Sequence, residues 1–242
     1  MTDDPSQRRR GSRLEPGRWL SAVGSTLLAA GVAGAASPDR PHPHQGIVPP
    51  FEGAPPEIAL TPAQEAALAR GEAVRTTVPG DAGGRGMAVQ DVHAPADVIW
   101  GRIGAFADYP RMVDRVEECE VYFSEGDDVR VRFRVNVLGF DYVYYIRHTF
   151  RPDDGYVTWT LDYSRESDLD DSVGYWAVTP HPRKPGWSRL FYSIDMRTRA
   201  WMPGFVRTLI ARRGVSDATE WVKREAEARA RGDREERTGS GA

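Results

Sequence analysis

The segment Val129-Arg130-Val131-Arg132-Phe133-Arg134-Val135-Asn136-Val137 decides the architecture. Apolar and polar residues alternate along it without a break, so one face of a strand enters a core and the other meets water. The following run, Phe140 to Phe150, keeps the same period: Tyr142, Tyr144, Ile146 and His148 share one face, and Asp141, Val143, Tyr145 and Arg147 the other. Tyr156 to Tyr163, Ser172 to Val178 and Arg189 to Arg197 continue the pattern. Between them, Pro152-Asp153-Asp154-Gly155 and Pro180 to Gly186 are turn signals. Strands joined by gaps of hairpin length predict an antiparallel meander.

Working toward the N-terminus, Pro95 opens a helix predicted over Ala96 to Phe106, with Val98, Ile99 and Ile103 on one face, and a further helical turn follows at 108–113. Met87 to Val92 and Glu72 to Val78 read as strands around the glycine-rich stretch Pro79 to Gly86. That stretch lacks the Lys-Ser/Thr ending of a phosphate cradle, so a hairpin turn is expected. Thr61-Pro62 is an N-cap followed by proline at the first helical position, which predicts a short helix, Ala63 to Arg70, stopped by Gly71. Toward the C-terminus, Met202, Val206, Ile210, Gly214, Ala218 and Val222 recur every four residues, with Phe205, Leu209 and Trp221 beside them. This is the apolar stripe of one long helix, about Pro203 to Ala230. The only large apolar surface available to bury it is the concave side of the sheet, which makes the fold class α+β.

Short helices, an antiparallel meander and one long C-terminal helix form the order of the helix-grip fold. The segments Ala94-Pro95-Ala96-Asp97-Val98-Ile99-Trp100, Phe106-Ala107-Asp108-Tyr109-Pro110, Trp159-Thr160-Leu161 and Gly174-Tyr175-Trp176-Ala177-Val178 carry a further likeness. On them the chain resembles the START-like superfamily, which includes polyketide cyclases/dehydrases, coenzyme-Q-binding proteins and plant pathogenesis-related allergens. The resemblance covers roughly Gly86 to Arg231, about three-fifths of the chain. It implies an apolar cavity between sheet and long helix that holds a lipid, quinone, sterol or polyketide, and it supplies no shared catalytic residues.

Alternation then nominates the lining: Val131, Phe133, Val135, Tyr142, Tyr144, Ile146, Trp159, Leu161, Trp176, Tyr192, Ile194, Phe205 and Leu209, with His148 and the tyrosine hydroxyls as polar contacts. A one-residue slip in register would exchange the faces. Gly214 and Ala218, at the middle of the helix stripe, either bring helix and sheet together or leave a void. The leading expectation is binding or transport of a hydrophobic small molecule. A cyclase/aromatase-type enzyme and an envelope scaffold with a filled core are the alternatives. Catalysis needs a base with an orienting partner, and no motif supplies that pair. No cofactor or metal is expected. The acidic loop Glu166-Ser167-Asp168-Leu169-Asp170-Asp171 lacks the central glycine and distant glutamate of a calcium loop and reads as a solvated turn. Arg197, Arg199 and Arg207 around Trp201 are a candidate contact with an anionic membrane surface, the alternative being an ordinary amphipathic helix with its arginines in water.

Composition bounds the remainder. In 242 residues a net charge of −3 gives no global field to attract nucleic acid, and none is expected as a partner. Cys119 is the only cysteine, which excludes an intrachain disulfide and a multi-thiolate zinc site. A monomer is expected. Arg8, Arg9, Arg10, Arg13 and Arg18 precede the uncharged run Trp19 to Ala36, which ends in small residues. This reads as an export signal over 1–36, with an uncleaved anchor (residues 19–36) or a flexible tail as alternatives, so a periplasmic or secreted location is expected. Residues 37–60 form a proline-rich linker in which His42 and His44 are expected to be solvated and without a role. Residues 61–84 add the first helix and strand, 85–231 make up the START-like domain, and 232–242 are expected to be a charged, disordered tail.

Overall fold

The structure is a computed structural model that describes residues 36–80 and 83–239; the side chains of 79, 208–214, 237 and 239 lie outside that description. The expected export signal also falls outside it. No described helix is long and apolar enough to cross a membrane.

The elements run α1 (Pro62–Ala69), β1 (Val74–Gly80), β2 (Gly83–Val92), α2 (Ala96–Ile103), a 3-10 turn (Phe106–Asp108), α3 (Tyr109–Met112), β3 (Val116–Glu125), β4 (Asp128–Val137), β5 (Phe140–Arg151), β6 (Tyr156–Leu161), β7 (Leu169–Pro180), β8 (Ser188–Thr198) and α4 (Gly204–Gly239). The strands make one antiparallel eight-stranded sheet in the order β1-β2-β8-β7-β6-β5-β4-β3. The meander runs from β3 to β8, and the β1–β2 hairpin completes the sheet on the far side of β8. Register puts Val131 opposite Ile146 and Phe133 opposite Tyr144, so the face read from alternation is the one that meets α4. Along α4, Val206, Val215, Trp221, Val222, Ala226 and Ala230 are buried. At Gly86 a Cβ would come 2.1 Å from Val215 Cγ2, so this glycine lets helix and sheet touch.

Several expectations change. β3 escapes the period-two reading because bulges between Val116 and Glu118 and between Val121 and Phe123 shift its phase. The stretch 83–86 is strand, and the hairpin turn before it is shorter than expected. α4 continues to Gly239, through the expected disordered tail, with an i,i+4 Arg229–Asp233 pair at 3.2 Å on its last turns. Helix α1 has a capping box: Gln64 N–H donates to Thr61 Oγ1, and Thr61 N–H donates to Gln64 Oε1.

The largest correction concerns the expected linker, residues 37–60, of which 37–51 are a strap on the convex face. Ser37 pairs with Glu166 as a bridge, and Ala36 N–H donates to Asp168 Oδ1. Ile47 and Val48 N–H donate to Asp171 Oδ2 at 2.7 and 2.8 Å. Phe51 packs edge-on against Tyr175. The acidic loop is therefore not solvated: Ser167, Asp168 and Asp171 are buried because their oxygens serve the backbone of the strap and of β5. Residues of β7 are buried on both faces as a result. Beyond the strap, Leu68 of α1 packs on Val74 and Val89, forming a second small core outside the sheet.

Candidate functional site

A cavity of about 330 Å³ lies between the concave face of the sheet and α4. The volume is at the lower end of small-molecule sites. Of the residues nominated from sequence, Phe133, Val135, Tyr142, Tyr144, Ile146, His148, Trp159, Trp176, Tyr192 and Ile194 border it. Val131 and Leu161 do not; both are fully buried in the surrounding core. Alternation assigns a residue to a face but does not say whether its neighbours close over it. Phe205 is 54% exposed and points away, and the side chain of Leu209 lies outside the described residues.

Sequence reasoning missed residues of two kinds. Phe106 and Tyr109, from the 3-10 turn and α3, reach the cavity from the side, and Trp221 reaches it from α4 near Ala218, the small stripe residue at which a void was one of two expectations. The segment Gly83 to Gly86 forms part of the wall, together with Thr77. Only the small size of those glycines signalled close approach. Gly174 opens space for a ring: a Cβ there would sit 2.2 Å from the Trp159 indole and 2.4 Å from the Ser193 carbonyl. Trp159 thus lies across the glycine opposite it, with Nε1–H donating to Ser172 Oγ at 3.3 Å.

The walls are aromatic. Trp159 stacks on Tyr192 (5.8 Å between centroids), Trp176 lies 4.4 Å from Tyr192, and Phe133 stacks on Tyr144 at 5.2 Å. His148 sits between Phe106 and Trp159. Its Nδ1 bonds the Val129 carbonyl at 3.1 Å, which makes Nδ1 the protonated nitrogen and leaves Nε2 an acceptor. Burial lowers the His148 pKa to about 4, against a smaller opposing effect of that hydrogen bond, so the ring is neutral at pH 7. Burial likewise raises the tyrosine pKa values of Tyr144 and Tyr192 and keeps both hydroxyls protonated. Cys119, half-buried on β3, is pushed up to about 12 by burial and is no nucleophile at neutral pH. Among the described residues, charge at the cavity is confined to the exposed or part-exposed side chains Arg85, Asp114, Arg115, Arg207 and Asp217, of which Arg115 and Asp217 pair at 3.0 Å.

A second cluster, His42, His44 and Asp170, has metal-ligand residue types with ligand atoms within 4.8 Å of one another. His42 is buried rather than solvated, which corrects the expectation for this residue. Its Nδ1 accepts Ser167 N–H and faces the Arg199 guanidinium, so the proton sits on Nε2 and is donated to the Asp170 carbonyl at 2.9 Å. His44 repeats the arrangement, with Nδ1 accepting Gly46 N–H and Nε2 directed at Asp170 Oδ1. A metal-bound imidazole needs the reverse, an N–H donated outward and a lone pair toward the ion. The cluster fastens the strap instead.

Against this geometry, no protein-family model and no curated protein matches the sequence. Solved structures do. A protein of Thermus thermophilus is 17% identical, with 61% of this chain and 97% of that chain covered and a TM-score of 0.50. The Zhui aromatase/cyclase from a Streptomyces species is 20% identical over 65% of this chain and 94% of that one, also at 0.50. The chain has the START-like fold. A START superfamily protein from Mycobacterium smegmatis is similar at 17% identity over 66% of this chain and 97% of that one, with a TM-score of 0.45. The strap and α1 pack on the outside of the grip.

Proposed function

We propose that this START-like protein binds a single hydrophobic small molecule in the cavity beneath α4. The observation that carries the reading is an interior left open although bulky aromatic residues surround it. Protein interiors are otherwise close-packed, and an apolar void of this size admits an apolar guest. The cavity weighs against a filled scaffold. His148 is held by a backbone carbonyl, with no carboxylate to orient it among the described residues, and its lowered pKa makes it a weak base. Binding is therefore better supported than cyclase chemistry. Native mass spectrometry of gently purified protein, with uptake of the apolar fluorophore N-phenyl-1-naphthylamine, tests the proposal. A co-purifying mass or saturable fluorescence at one site per chain is expected; a protein that takes up no dye and carries no ligand overturns it.

The reading extends to a membrane surface, on an observation at the cavity rim. Leu138, at the tip of the β4–β5 hairpin, is 64% exposed in a left-handed backbone conformation (φ 54°). Asn or Gly would adopt that conformation at lower cost. Phe140 on the same hairpin meets the exposed Phe205, and Trp201 stacks on Tyr142 at the cavity wall. These apolar groups, with Arg207 beside them, suit an anionic bilayer. Arg197 and Arg199 contribute less than the sequence suggested, because they pair with Asp195 and Glu166. Export or anchoring by residues 19–36 completes the proposal, since the chain enters the described domain at Ala36, bound to Asp168.

A further inference from the structure

The cavity holds more hydrogen-bonding capacity than the protein uses. His148 spends Nδ1–H on Val129, and Nε2 has no protein partner among the described residues. The side chains of Tyr144 and Tyr192 line the same space, and no described protein group hydrogen-bonds their hydroxyls. Tyr192 stacks on Trp159, whose other neighbour is His148, so two of these polar groups flank one indole. A buried polar group left unpaired costs about 1–3 kcal/mol. A cavity meant for plain hydrocarbon gains nothing by carrying several.

Three properties of the site restrict what completes those bonds. Among the described residues no buried cation or carboxylate borders the interior, so an ionised headgroup there would be uncompensated. The walls are ring faces, with Phe106, Phe133, Trp159, Trp176 and Tyr192 around the space, and flat guests match flat walls. A volume of about 330 Å³, at the lower end of small-molecule sites, suits a compact guest.

We propose that the ligand is a compact, neutral, hydroxylated ring compound whose O–H donates to His148 Nε2 while its ring lies between the aromatic walls. The inference rests on the cavity being a binding site, and it names the ligand class. The His148 contact is the specificity device: an analogue lacking the hydroxyl leaves Nε2 without that donor.

The full chain, loaded with N-phenyl-1-naphthylamine, is titrated with 1-naphthol, with naphthalene and with hexadecanoate. 1-Naphthol is expected to displace the dye at a concentration about ten-fold or more below naphthalene. His148→Phe is expected to bring that ratio close to one. His148→Gln, which keeps an acceptor, restores part of the ratio, and near-ultraviolet circular dichroism reports whether each variant is folded. Equal displacement by the two ring compounds, an unchanged ratio in His148→Phe, or displacement by hexadecanoate alone overturns the hydroxylated-ring assignment and leaves the cavity reading intact. Absence of any dye uptake by the wild-type protein removes the cavity reading itself.

Discussion

At the scale of single residues, the interior contains groups whose ordinary chemistry has been altered by burial. His148 titrates near 4 in the folded protein and near 6.5 in an unfolded chain. Between these values the unfolded state binds the proton and the folded state does not, so His148 favours folding fully above pH 6.5 and loses that contribution as pH falls toward 4. The gap corresponds to about 3 kcal/mol. Urea unfolding at pH 7 and pH 4.5 is expected to show a smaller loss for His148→Phe than for wild type; equal losses would show that this ring is not the sensor. Gly174 is a packing constraint of another kind. Gly174→Ala places a methyl group against both the Trp159 ring and the Ser193 carbonyl, and backbone cannot turn aside as a side chain can. A cost of about 1–3 kcal/mol is expected, read as a fall in Tm. Leu138 is the opposite case, an exposed residue in a conformation that disfavours it. Leu138→Asn is expected to raise stability by up to about 1 kcal/mol and to weaken flotation with vesicles containing phosphatidylglycerol. Unchanged flotation would remove Leu138 from the proposed membrane contact.

At the scale of elements, the strap is fastened to the sheet mainly through one buried carboxylate. Asp171 holds it: one carboxylate accepts from Ile47 and Val48 N–H, Tyr163 O–H and Ser172 N–H, with none of these donors charged. Asp171→Asn turns one acceptor into a donor that faces donors. A loss of about 2–4 kcal/mol is expected, together with proteolytic cleavage between residues 37 and 51 in conditions where the wild-type strap is protected. Protection unchanged in the variant would mean that Phe51 and the His42 contacts suffice to hold the segment. β3 shows how another exposed element is managed. It is an edge strand with two bulges and a row of glutamates, of which Glu118, held by Arg134 and Arg132, is lowered to about 2. Charge and irregularity at an edge protect it from pairing with another chain.

At the scale of the whole molecule, the cavity depends on a helix that stands off the sheet at some positions and touches it at others. Val215 meets Gly86 directly, whereas Ala218, one turn on, borders the open space. Filling the space at Ala218 separates binding from folding. Ala218→Phe is expected to abolish uptake of N-phenyl-1-naphthylamine while leaving Tm unchanged or higher, because the ring occupies volume that no side chain fills. Retained uptake would place the dye outside the cavity.

The sequence by itself determined the strand faces of β4 to β8, the long amphipathic helix and hence the α+β helix-grip class, because period-two and period-four patterns are written in local order. It also nominated ten of the residues that border the cavity, since a face is a property of alternation. It did not contain the strap, the closure over Val131 and Leu161, the approach of Phe106 and Tyr109, or the partner of His148. Those depend on which distant segments meet: a proline-rich run looks solvated until buried carboxylates accept its N–H groups, and a histidine looks inert until a neighbouring strand fixes which nitrogen faces the void. Contacts between residues more than a hundred positions apart, such as Val48 with Asp171, are decided by tertiary packing alone.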